Sequence, residues 1–275
     1  MSTTATDLER MARGWTITPR AVLGRSVRVV ERNLRATGRA GLLFISGLFE
    51  PMFYLFALGI GVGGLVGEVV GPDGQPVPYG VFVAPALMAA SAMNGGTFES
   101  TINVFAKLKW GKVYDAVLAS PVAPREIAVG ELLWALLRGW VYALSFLVIS
   151  AVVGLVPSWW ALLTIPAASL IGFCFAGIGL MVTTFMRSWQ DFDLIELVLL
   201  PLFLFSATFY PLEVYPDAVQ WVAQLSPLYH GVQLVRGLML GVVSWALLGH
   251  ALLLAALGSF GLSVAVRRFG RLLRS

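Results

Sequence analysis

The feature that most constrains this chain is a series of long apolar runs fenced by short clusters of arginine and lysine. Most of the runs exceed the roughly 18 residues that mark a bilayer-spanning helix. Six spans are read, over residues 41–65, 80–105, 126–153, 160–186, 192–210 and 242–266. At ~1.5 Å rise per residue, a helix of about 25 residues is ~37 Å long and crosses with some tilt. The fifth run is the shortest. The expected fold is all-α, a polytopic membrane protein. Composition supports it: 58% of the 275 residues are hydrophobic and 12% are charged, about half the ~25% of soluble domains. A water-soluble enzyme or a DNA-binding domain needs a charged surface that this chain cannot supply. A single cysteine, Cys174, excludes a disulfide scaffold.

The net charge of +4 gains meaning once the charges are placed. Eight basic residues lie between Arg10 and Arg39; Lys107, Lys109, Lys112 and Arg125 form a second cluster; Arg187 stands in a polar break; Arg267, Arg268, Arg271 and Arg274 close the chain. With six spans, 17 of the 19 basic residues fall on one side, Arg236 falls on the other, and Arg138 sits inside the third span. The positive-inside rule then puts both termini in the cytoplasm, in a cytoplasmic-membrane protein that crosses many times. The first apolar run begins near Gly41, too far along and too long for a secretory signal, and is expected to stay as the insertion signal.

Four divisions follow: a flexible cytoplasmic segment at 1–18, an amphipathic helix at 19–40, the six-span domain at 41–266 and a basic cytoplasmic tail at 267–275. In the helix, Leu23, Val27, Val30 and Leu34 make one stripe, and Arg25, Arg28, Arg32, Arg35 and Arg39 make another on the opposite face. Pro19 suits its first turn. Such a helix lies in the headgroup layer with its arginines toward phosphate and solvent; the alternative is a solvated segment that only sets topology. The loop after the second span carries Trp110, Tyr114, Val117, Leu118 and Pro121. It reads either as a helix that docks a partner or as apolar residues packed on the span ends. Residues 66–79 read as a Gly- and Pro-rich loop, and residues 211–241 as short re-entrant or interfacial helices at the outer face.

Charges within the spans need partners. Glu50 and Arg138 lie at comparable depth, and a lone charge there costs ~2.5–3.5 kcal/mol. An Arg138–Glu50 pair is the first expectation, with Glu131 the rival partner and Glu99 a further member. The network serves either as an inter-helix or inter-subunit tie or in substrate binding. Asp191, Asp193 and Glu196 start the fifth span, where the helix dipole favours carboxylates. His250 is expected to make an inter-helix hydrogen bond. Gly172, Gly177 and Gly179 suit close helix packing or reflect the ordinary glycine content of membrane helices. No metal site, Walker A loop or nucleophile constellation is read: Gly111-Lys112 is followed by Val113 rather than Ser or Thr.

Four stretches carry a resemblance: Asn94–Thr101; Tyr114–Pro121, continuing through Pro124–Ile127 to Gly130–Ala135; Phe205–Leu212; and Leu225–Gly237. With the span pattern they make the chain similar to the membrane subunit of a type-2 ABC exporter, nearest the branch of nodulation lipo-oligosaccharide and daunorubicin-type drug exporters. The resemblance implies a permease that forms the pathway as a dimer, of two copies or two related subunits. Separate ATP-binding cassette subunits would hydrolyse ATP, so ATP and Mg belong to the partner and this chain binds no cofactor, is not itself catalytic and takes no nucleic acid. Membrane lipids surround it. It implies a coupling helix through Trp110, Tyr114, Asp115, Val117, Leu118 and Pro121, with Tyr114 and Leu118 transmitting the shift. Residues 20–39 would be a connecting helix. An outer gate would hold Phe209, Tyr210, Pro211, Pro227, Tyr229, His230 and Arg236. The cargo would be amphiphilic, lipid-linked, oligosaccharide or drug-like, passing between the first, second and fifth spans. The competing function is a proton-coupled secondary transporter using Glu50, Glu99 and Arg138, disfavoured by the lack of an internal repeat.

Overall fold

The computed structural model describes residues 19–37, 49, 52–111, 113–118 and 122–272. In chain order the helices are α1 (Pro19–Thr37), α2 (Met52–Val66), α3 (Tyr79–Lys109), α4 (Val113–Leu118), α5 (Pro124–Val152), α6 (Trp159–Thr183), α7 (Asp191–Phe205), α8 (Asp217–Leu225), α9 (Pro227–Leu240) and α10 (Trp245–Leu272). Four of them, α3, α5, α6 and α10, are long and apolar enough to cross a membrane. They match the second, third, fourth and sixth expected spans to within a few residues. Of the first expected span, residues 41–48, 50 and 51 lie outside the described residues, and its second half is α2. The fifth is α7, whose 15 residues make only ~22 Å of helix. That is less than a ~30 Å hydrocarbon core, and the chain bends at Ser206–Tyr210 instead of continuing.

The described chain is mostly helical, as expected, and one expectation needs correction: residues 66–79 are more than a loop. There β1 (Glu68–Val70) and β2 (Pro76–Pro78) pair antiparallel, with Val69 opposite Val77. Gly74 has φ +78° in their connecting turn, and Asp73 Oδ1 accepts the Gln75 amide at 3.1 Å, so the turn chemistry closes a ribbon. Helix α10 runs on to Leu272, and Arg268 turns back to donate to Thr184 Oγ1 at 3.0 Å while lying 3.6 Å over the Phe185 ring.

Helix α6 is the axis of the bundle, with α3, α5 and α10 packed around it. Lipid tails are as apolar as leucine, so these helices associate by close contact rather than by leaving water. The glycines decide it. A Cβ on Gly177 would overlap the Gly258 carbonyl oxygen, and one on Gly261 would come 2.5 Å from Gly177 C. On the other side of α6, a Cβ on Gly96 would stand 2.7 Å from Gly172 O. Close packing therefore accounts for Gly177 and for Gly179, where a Cβ would overlap Ser100 Oγ, whereas one on Gly172 would meet only ordinary contacts.

Helix α1 packs against the first half of α5. Its buried face is Ser26, Val29 and Asn33, and Val29 sits against Gly130. The apolar stripe points elsewhere: Val27 and Leu34 are exposed. The arginine stripe is divided too. Arg25 reaches Glu126 at 3.5 Å and Arg32 reaches Glu131 at 2.9 Å, so these two turn toward protein carboxylates rather than phosphate.

Candidate functional site

A cavity of about 420 Å³ opens between α2, α3, α5 and α7. Its apolar wall includes Tyr54, Phe98, Leu199 and Phe203, and its polar wall Ser91, Asn94, Glu99, Arg138, Tyr142 and Glu196. This mix of apolar surface and a few convergent polar groups is what a ligand site needs.

Local backbone chemistry aims Glu99 at this space. Residues Glu99–Asn103 form a wide π-turn within α3, a distortion common at functional sites. Hydroxyls satisfy the carbonyls around it. Ser100 Oγ donates to Gly96 O at 2.7 Å and Thr101 Oγ1 to Thr97 O at 2.6 Å. From α6, Thr183 Oγ1 donates to Ser100 O at 2.9 Å. Ser100 and Thr101 are thereby buried against α6, and Glu99 is left on the cavity side. There it forms an ion pair with Arg138, whose Nη2 donates to Tyr142 Oη at 2.6 Å. Arg138 lies at the middle of the 29-residue α5. Pairing offsets the ~2.5–3.5 kcal/mol cost of a charge at that depth.

Among the described residues, Arg138 pairs with Glu99, the further member of the expected network. Glu50, the first expectation, lies outside the described residues. Glu131, the rival, is engaged elsewhere. Each of its carboxylate oxygens accepts two hydrogen bonds. Arg32 Nη2 at 2.9 Å and the Tyr114 hydroxyl at 3.1 Å reach Oε1. Lys107 Nζ at 2.6 Å and Asn33 Nδ2 at 2.8 Å reach Oε2. Four elements, α1, α3, α4 and α5, therefore meet at one buried carboxylate. Nothing in the spacing of the sequence announced Arg32, Asn33 or Lys107 as partners; the one available signal was that a buried Glu131 requires cations.

The expected coupling loop divides into two faces. Tyr114 points inward, 1% exposed, with its ring 6.2 Å from Phe269 in an edge-on contact. Burial, and then the neighbouring Glu131 carboxylate, push its phenol well above the ordinary value, which keeps it a proton donor. It is a link into the bundle and offers no surface to a partner. Trp110 is 66% exposed and stacks on Trp189 at 4.9 Å. Val117 is half-buried. Asp115 and Leu118 lie on α4, but their side chains, like Pro121, fall outside the described set.

At the opposite end, Pro227 opens α9 behind the cap Ser226, whose Oγ lies 2.7 Å from Ser206 Oγ. Arg236 is buried with its guanidinium 3.8 Å over the Phe82 ring. It donates to Phe82 O at 3.2 Å and to Ala207 O at 2.8 Å, holding the strained φ +54° turn at Ala207. Phe209 packs edge-on to Phe203 at 5.0 Å, and Tyr210 lies 4.6 Å from Tyr215 beside Pro211. His230 Nδ1 is 2.7 Å from His250 Nδ1, the inter-helix contact expected of His250, and Tyr229 stands against both rings. Among the described residues no group of three or more metal-ligating side chains occurs.

A family described as ABC-2 type transporter matches residues 27–240. Nodulation protein J of Rhizobium leguminosarum bv. viciae is 34% identical over 216 residues, 78% of this chain and 81% of that protein. Nodulation protein J of Rhizobium meliloti (strain 1021) is 33% identical over 247 residues, 88% and 92% of the two chains. The protein of the same name from Bradyrhizobium diazoefficiens is 33% identical over 251 residues, 90% and 93%.

Proposed function

We propose, for a chain that belongs to the ABC-2 type transporter family, that it is the permease subunit of an ATP-driven exporter. It works as a dimer, of two copies or of two related subunits, with ATP and Mg held by separate ATP-binding cassette subunits. Both termini face the cytoplasm, six segments cross the membrane, and α1 lies along its inner surface as the connecting helix. Cargo is amphiphilic and enters the cavity lined by Glu99 and Arg138.

The observation that carries the reading is the convergence of α1, α3 and α4 on Glu131. Helix α4 follows α3 within a few residues, at the end rich in lysine. A push on α4 reaches Glu131 through the Tyr114 hydroxyl. Glu131 and Arg138 share α5, seven residues or ~10 Å apart, so the same helix that anchors α4 lines the cavity. ATP binding then shifts an inward–outward equilibrium by its differential affinity for the two states. The outer gate is the Ser206–Arg236 segment, where Arg236 pins the turn at Ala207.

Co-purification tests this reading. Tagged chain drawn from its native membrane is expected to bring down an ATP-binding cassette subunit. Proton-driven flux by the lone chain in liposomes, with no such subunit bound, would overturn it in favour of a secondary transporter.

A further inference from the structure

The cavity between α2, α3, α5 and α7 carries an unbalanced charge. Its lining holds two carboxylates, Glu99 and Glu196, and one guanidinium, Arg138. Arg138 is committed to Glu99. Glu196 on α7 has no cation within 4 Å among the described residues, so the described lining carries one net negative charge. The same lining holds the aromatic rings of Tyr54, Phe98 and Phe203.

We infer that this cavity seats an amphipathic organic cation, its ammonium group at Glu196 and its apolar body along Phe98 and Phe203. The inference deepens the permease reading and rests on it for the cavity's place in transport. Three physical points favour a cation. Glu196 is exposed on the lining, so its carboxylate is open to pair with an incoming positive charge. Aromatic faces attract a desolvated ammonium through their quadrupoles. An anionic cargo would meet two carboxylates, with the guanidinium that could receive it already held by Glu99 and Tyr142. A neutral cargo could use Ser91 and Asn94, but it would leave Glu196 uncompensated. The volume of about 420 Å³ fits a small drug-sized body rather than a long polymer.

Equilibrium binding to the full chain in zwitterionic nanodiscs tests this, without nucleotide or an ATPase subunit. The probes are three dansylated dodecyl chains ending in ammonium, acetamide or carboxylate, each corrected for partition into empty nanodiscs. The ammonium probe is expected to bind about tenfold tighter than the acetamide probe. Glu196→Gln is expected to remove that preference while leaving the acetamide probe's affinity unchanged. Since Glu99→Gln alone strands Arg138, the double variant Glu99→Gln/Arg138→Gln is the companion, and it is expected to keep the preference. Equal binding of the three probes, tighter binding of the carboxylate probe, or an ammonium preference that survives Glu196→Gln would each overturn the inference. None of these results depends on an ATPase partner, so they leave the permease reading standing.

Discussion

The Tyr114 hydroxyl lies 3.1 Å from Oε1 of Glu131, joining a six-residue helix outside the bundle to the helix that lines the central cavity. Tyr114→Phe removes that hydrogen bond and keeps the ring against Phe269. The stability cost is expected to be small, about 0.5–1.5 kcal/mol. The functional effect is expected to be larger than the stability effect. The check is the ratio of cargo-stimulated to basal ATP hydrolysis in the assembled complex, beside the melting temperature of the same sample.

Glu131→Gln is a harsher change. It leaves Lys107 and Arg32 facing a neutral amide that can accept only through its one oxygen. Both cations keep partial solvent access, 22% and 30%, which screens the loss. The expected destabilisation falls between the ~1 kcal/mol of an exposed pair and the ~3–5 kcal/mol of a broken buried one. A double-mutant cycle of Glu131→Gln with Lys107→Met, read by thermal unfolding, separates the two. Lys107→Met is expected to cost less when Glu131→Gln is already present than in the wild type.

Helix packing gives a cleaner test, because backbone cannot yield as a side chain can. Gly177→Ala places a methyl on the Gly258 carbonyl and forces α6 from α10. Overpacking of this kind costs about 1–3 kcal/mol or more. Gly249→Ala, in α10 with open space around it, is the control and is expected to change little. Melting temperatures and the monodisperse yield of the two variants distinguish them.

Arg236→Lys keeps the charge but loses the planar fork that reaches Phe82 O and Ala207 O together. The turn at Ala207 then loses a fixed donor. Hydrogen exchange of the amides at 206–212 is expected to speed up by about tenfold, equivalent to ~1.4 kcal/mol of lost local stability, with exchange in α6 unchanged.

Much of this architecture was legible in the runs themselves. The second, third, fourth and sixth spans need only length and apolarity, which composition records directly. The start of α5 is also readable, since Pro124 at the first turn and Glu126, accepting the Ala123 amide at 2.8 Å, are local signals. What stayed hidden depends on contacts far apart in sequence. Arg138 and Glu99 are nearly forty residues apart, and their meeting is set by a π-turn whose cause lies partly on α6, in Thr183. Glu196 was explained by its helix dipole; its place on a cavity wall follows from where α7 sits beside α2 and α3. Tyr114 fits an apolar stripe equally well facing in or out, and only Glu131 and Phe269 decide the direction.

The permease reading stands or falls on α4 carrying ATP-driven change from a separate subunit into this bundle. The most direct measurement is ATP hydrolysis by the co-purified ATP-binding subunit, in nanodiscs, with wild-type chain and with Leu118→Asp on α4. Wild-type chain is expected to stimulate hydrolysis, and Leu118→Asp to abolish the stimulation while membrane insertion stays intact. Undiminished stimulation by an inserted Leu118→Asp chain would contradict it.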